Sequence, residues 1–197
     1  MIYKFIPLTK GQKAMVDDFD YDRLMAIGRW CYSKSGYAVH YTTDANGKRK
    51  TIFMHRVVMA AALKRSGSHL QVDHINQCRI DNRRANLRLA TRAQNQAHKR
   101  KRVDSSSPYK GVTLNKGMWE ARIKCGAQRF NLGRYDSPGI AAWVYDAASL
   151  LLYDQFAGRN FTEYPSRQTF ELVIAILNQY GLNTRPLRTS DAFYRSR

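Results

Sequence analysis

An α+β fold in two modules is what this sequence predicts, and three observations carry it. Short β-branched and aromatic segments, punctuated by turn residues, fill roughly the first half of the chain. A basic stretch ending in serines then interrupts the pattern, "AHKRKRVDSSS" from Ala97 to Ser107. Beyond it come three strand-like segments separated by glycine-bearing turns, followed by one apolar helical pattern.

The elements follow in order. Ile2 to Leu8 reads as a strand, and Asp17 to Gly28 as a short helix with acids at its start and glycine at its end. Trp30 to Ser33, Tyr37 to Thr42 and Thr51 to Val58 read as strands, the last two joined through Ala45-Asn46-Gly47-Lys48. Val57 to Leu63 turns helical. Leu70 to Ile75 and Leu87 to Ala90 alternate like strands, and Thr91 can cap a helix from Arg92 to Lys99. Past the basic stretch, Tyr109 to Leu114, Trp119 to Cys125 and Arg129 to Arg134 form a three-stranded antiparallel sheet. Ser137 and Pro138 open a helix running to Tyr153, with Ile140, Trp143, Val144, Ala147, Ala148 and Leu151 on one face. Thr169 to Tyr180 is a further amphipathic helix closed by Gly181, and the arginine- and serine-rich end reads as loose.

Charge points to the partner. The 197-residue chain carries +18, and 21 Lys/Arg against four acids fall between Ala45 and Tyr135. A basic block of that concentration suits a polyanion, in the first place nucleic acid. At 44% hydrophobic, the chain has material for real cores. Cys31, Cys78 and Cys125 are scattered and odd in number, which argues against a cysteine zinc site and fits a reducing interior. No run of residues reaches membrane-spanning length. The expectation is a cytoplasmic protein.

The stretch "VDHINQCRIDNRRANLRLATRAQN", Val72 to Asn95, holds one Asp-His pair and the asparagines Asn76, Asn82, Asn86 and Asn95. A neutral imidazole can activate water near pH 7. Adjacent strand residues point to opposite faces, so Asp73 and His74 share a pocket only at a strand end or bulge. A carboxylate from Asp73 and an amide oxygen from Asn95 are hard donors that suit magnesium or manganese. Asn82, after Asp81, fits turn chemistry. His55 reads as a buried polar residue or as a group supporting the site from behind; His98, three residues after Asn95, could compete as a ligand but lies outside the expected register.

These residues resemble the HNH nuclease motif, a ββα-metal fold. The resemblance implies Asp73 and Asn95 as metal ligands, His74 as general base, Asn86 as a catalytic-site residue, and Mg2+ (or Mn2+) as cofactor. "IPLTKGQKAMVDDFDYDRL" through "MHRVVM" is similar to the N-terminal part of phage-type HNH homing endonucleases. A phage origin implies the host cell cytoplasm. Asn95 replaces the more usual histidine, which makes the ligand set harder.

The later segment resembles an AP2 domain, on Tyr109-x-Gly111-Val112, Trp119-x-Ala121-x-Ile123, Leu132-Gly133, Ala141-Ala142-x-x-Tyr145-Asp146-x-Ala148 and Asn160-Phe161. Matching positions imply DNA contacts from Lys110, Thr113, Asn115, Arg122, Lys124, Arg129, Asn131 and Tyr145. Lys99, Arg100, Lys101 and Arg102 are expected along a phosphate backbone. The expected division is an HNH domain at 1–98, a basic linker at 99–107, an AP2-like DNA-binding domain at 108–161, and a helix with a loose tail at 162–197. A site-directed, homing-type DNA endonuclease acting on double-stranded DNA, as monomer or homodimer, is the leading expectation. A catalytically inert DNA-binding transcription regulator is the alternative.

Overall fold

A computed structural model describes residues 2–66, 69–99, 101 and 106–182. The chain divides into two compact units, 1–92 and 93–197.

In the first unit, β1 (Tyr3–Pro7) pairs antiparallel with β2 (Lys13–Asp17). The sequence pattern missed β2, which is five residues long and buries only its Ala14, Val16 and Asp17. Helix α1 (Asp18–Met25) follows, then a sheet of β3 (Cys31–Tyr32), β4 (Ala38–Thr43) and β5 (Arg49–Phe53). The expected hairpin between β4 and β5 is present, its turn held by Asp44 Oδ1 accepting from the backbone N–H of Asn46 and Lys48.

Thr51 to Val58 is not one strand. The backbone turns helical at Met54, giving α2 (Met54–Val58) and then α3 (Ala60–Ser66). Met54 and Val58 are four residues apart and almost fully buried, so the helical period is the one the core satisfies. Ile6, Val16, Leu24, Trp30, Met54, Val58, Val72 and Leu87 share that core. Trp30 Nε1 donates to the Leu24 carbonyl at 2.8 Å, which satisfies the indole where it is buried. The unit's last hairpin is β6 (Gln71–His74) with β7 (Leu87–Ala90).

The second unit begins inside α4 (Arg92–His98), so a helix expected to close the first module belongs by its contacts, from Ala93 on, with the second. Strands β8 (Val112–Asn115), β9 (Met118–Cys125) and β10 (Gln128–Tyr135) form the expected antiparallel sheet, with β9 in the middle. Helix α5 (Pro138–Tyr153) lies on its apolar face, where Ala121, Ile123, Phe130 and Leu132 are buried. Ser137 caps α5, accepting from Gly139 N at 3.2 Å. The expected apolar stripe of α5 is corrected: Ile140 is 52% exposed, while Tyr145, Asp146 and Ser149 are buried. Sheet and α6 (Arg167–Gln179) both pack on α5, so more than one side of it is covered. Ser166 caps α6 through Thr169 N. The arginine-rich tail lies outside the described residues.

Candidate active site and nucleic-acid interface

The asparagines of the hairpin loop have distinct tasks. Asn86 turns its side chain back across the loop: Oδ1 accepts from Asn76 N at 2.9 Å, and Nδ2 donates to the Asp81 carbonyl at 2.8 Å. Asn76 Oδ1 accepts from Cys78 N, and its Nδ2 donates to Asp81 Oδ2, both at 2.8 Å. A twelve-residue connection cannot be a tight hairpin turn, so its backbone groups need these side-chain partners. The loop is also tied to distant chain. Met15 N donates to the Ile80 carbonyl at 2.8 Å and Asn82 N to the Met15 carbonyl at 2.7 Å. Arg84 grips the buried Asp20 carboxylate with Nε and NH2, at 2.8 and 3.0 Å, and its backbone N–H donates to Asp17 Oδ2.

This frame positions the last residues of β6. Asp73 and His74 are 6% and 5% exposed. Asp73 stands opposite Arg88 in register, and Arg88 Nε and NH2 lie 2.9 and 2.8 Å from Asp73 Oδ2. His74 Nε2 lies 3.5 Å from Asn82 Oδ1. The His74 ring also meets an aromatic group, with centroids 5.1 Å from His55 and 6.0 Å from Tyr37. Burial lowers the His74 pKa, against the pull of Asn82, Asp73 and Asp81. The imidazole is therefore neutral near pH 7, as a proton acceptor must be.

His55 is the residue the sequence undervalued. It is the second residue of α2, stacks obliquely on Phe53 and Tyr37, and sits edge-on to His74. Its Nδ1 is buried without a hydrogen-bond partner among the described residues. Burial, with help from the neighbouring His74 and Arg56 charges, pushes its pKa down to about 3.

Asn95 lies on α4, half-buried, and counts with the second unit, whereas Asp73, His74 and Asn86 lie in the first. His98, also on α4, is buried. Among the described residues no three His, Cys, Asp or Glu side chains gather as a metal-binding group.

The polar face of the second unit's sheet is well defined. Thr113, Arg122, Lys124, Arg129 and Asn131 are exposed there, with Arg129 opposite Lys124 and Asn131 opposite Arg122. Glu120 sits at its centre, 1% exposed, under Asn115 Nδ2 at 3.1 Å, Asn131 Nδ2 at 2.9 Å and Arg122 NH2 at 2.7 Å. Asn115 is half-buried in that contact. Arg134, opposite Glu120 beyond a register shift, adds an exposed cation the sequence reading passed over.

Two expected DNA contacts lie elsewhere. Tyr145 is 5% exposed and packs against Gly111, so it is a core residue. Lys110 Nζ donates to the carbonyls of Ala97 and, at 2.6 Å, Lys99, closing the end of α4; burial lowers its pKa to about 8. An ammonium at the last carbonyls of a helix satisfies acceptors that have no intrahelical donor. Lys99 is exposed and Lys101 half-buried; Arg100 and Arg102 lie outside the described residues.

In comparison with known proteins, residues 53–97 match the HNH endonuclease family. An uncharacterized HNH endonuclease of Acanthamoeba polyphaga mimivirus is 28% identical over 69% of this chain and 68% of its own length. An ethylene-responsive transcription factor of Arabidopsis thaliana is 35% identical over 39% of this chain and 41% of its own. The enzyme class these similarities support is a DNA endonuclease, a phosphodiester hydrolase. No described helix is long and apolar enough to cross a membrane.

Proposed function

We propose that the chain is a metal-dependent, site-directed endonuclease of double-stranded DNA, of the homing type, with catalysis on the β6–β7 hairpin and DNA reading on the β8–β10 sheet. The observation that carries it is a buried His74, held neutral by burial, beside Asp73 and within the residues that match the HNH family. The His74 imidazole takes the proton of a water as the water oxygen attacks phosphorus and the sugar oxygen leaves. Asn82 and the aromatic rings of Tyr37 and His55 orient the imidazole. Asn86 shapes the loop with both ends of its amide and acts by positioning.

The donor chemistry fits a hard divalent cation. Asp73 offers a buried carboxylate set by Arg88; Asn95, which the HNH resemblance implies as a further oxygen donor, is half-buried on α4. Few protein oxygens plus waters and phosphate oxygens is the pattern of Mg2+ or Mn2+. Such an ion, when bound, neutralises charge developing on the phosphate and leaving oxygen.

Thr113, Arg122, Lys124, Arg129 and Asn131 would meet base edges or phosphates of the duplex, since a two- or three-stranded sheet enters the major groove. The similarity to a transcription factor over part of the chain favours the second reading, a DNA-binding regulator with an inert hairpin. Incubating supercoiled plasmid with the protein and Mg2+, with and without a chelator, separates the two. Chelator-sensitive nicking supports the nuclease; retention without nicking supports the regulator.

A further inference from the structure

The β6–β7 hairpin carries four arginines, and three are neutralised where they stand. Arg83 holds Asp81 through Nε at 2.9 Å and NH2 at 2.7 Å. Arg84 holds Asp20, and Arg88 holds Asp73. Arg79 is different. It is exposed, and among the described residues no carboxylate lies within ion-pair distance of it.

Arg79 is nevertheless fixed in place. Its NH1 donates to the Ser35 carbonyl at 2.6 Å, and its guanidinium carbon lies 4.8 Å from the centroid of the Tyr37 ring. That ring is the one beside His74 and His55. One aromatic side chain thus seats an uncompensated cation and the candidate base together.

An exposed arginine gives up rotamer freedom when it is held, and an ion pair is the usual compensation. Among the described residues Arg79 has no such partner. Phosphodiester hydrolysis loads negative charge onto the non-bridging oxygens as water adds. A pre-placed guanidinium meets that charge without reorganising, and its fork matches two phosphate oxygens.

We propose that Arg79 is a further catalytic residue, whose guanidinium N–H groups beyond NH1's bond to Ser35 clamp a non-bridging oxygen of the scissile phosphate beside His74. This rests on the nuclease reading above. Arg79 keeps its proton throughout; the proton that moves passes from water to His74.

The test uses the full chain, supercoiled plasmid and Mg2+, with nicking rate, DNA affinity and melting temperature measured together. Arg79→Gln should slow nicking about 10²-fold, the scale of losing one pre-placed charge-stabilising donor, while affinity and melting temperature stay near wild type. Arg79→Lys should recover part of the rate. Arg79→Ala should be revived by added guanidinium ion, a readout that a strut between Ser35 and Tyr37 would not move. Wild-type nicking with an unchanged Arg79→Gln rate would overturn this assignment alone. So would a rate that falls only in step with melting temperature and is not revived by guanidinium. No nicking by the wild type would overturn the nuclease reading and this proposal together.

Discussion

Asp73 on β6 and Arg88 on β7 face each other across the hairpin as a buried ion pair, their side chains 7% and 13% exposed. Breaking such a pair by removing one partner strands the other charge away from water. Asp73→Ala should therefore destabilise the first unit by about 3–5 kcal/mol, read from urea midpoints. Asp73→Asn, which keeps an acceptor for Arg88, should cost less. Asp73→Asn is thus the variant with which to measure metal dependence. An unchanged urea midpoint for Asp73→Ala would show that the pair does not hold the hairpin.

His74→Ala should lower nicking by about 10²–10⁴-fold, the range of a general base, with DNA affinity preserved. The side chain lies on a strand whose register is set by backbone pairing, so its removal leaves the hairpin in place. Robust cutting by this variant would remove His74 from the mechanism.

His55 makes the first unit acid-sensitive. Its folded pKa is about 3, whereas an exposed histidine titrates near 6.5. The unfolded chain then takes up a proton that the folded chain refuses. Stability from the neutral ring is complete above about pH 6.5 and is lost as pH falls through that window toward 3. The slope is at most about 1.4 kcal/mol per pH unit from this group. His55→Phe should flatten the loss between about pH 7 and about pH 5 in urea titrations; equal slopes in both proteins would contradict it.

Gly111 is a packing requirement of the second unit. It has φ +74°, and a Cβ there would lie 1.9 Å from Tyr145 Cδ2. Gly111→Ala should cost about 3 kcal/mol or more, from overlap plus left-handed strain. Gly117, at φ +80° with nothing within 4 Å, provides the control. Gly117→Ala should cost only about 1–2 kcal/mol. Thermal melts of the two variants make the comparison, and similar losses would mean that Tyr145 yields.

DNA affinity should fall with salt at a slope near −0.9 per phosphate contacted. Lys124→Gln and Arg129→Gln should each flatten the slope by about one such unit if they meet phosphates. Arg122→Gln should also lower the melting temperature, because Arg122 partners the buried Glu120. Filter binding across a salt series tests both statements, and a flat response of the wild type would count against the basic face as the DNA surface.

Much of this was legible along the chain because the signals are local. Charge density, the β8–β10 alternation, the Ser137 cap and the Asp-His pair are each carried by residues within one or two turns of each other. The strand-to-helix switch at Met54 was ambiguous, since apolar residues at 52, 54, 57 and 58 serve either period until the core selects one. Beyond local pattern, burial and partnership came from tertiary structure. Asp20 and Arg84 meet across 64 residues, and Ser35 and Arg79 across 44. No periodicity encodes such pairs, because side-chain charges are compensated by whatever packing brings near. That is why three arginines of one hairpin are silenced and a fourth is not. It is also why Lys110 closes a helix instead of facing DNA, and why Glu120 is buried on a face the alternation marks as polar.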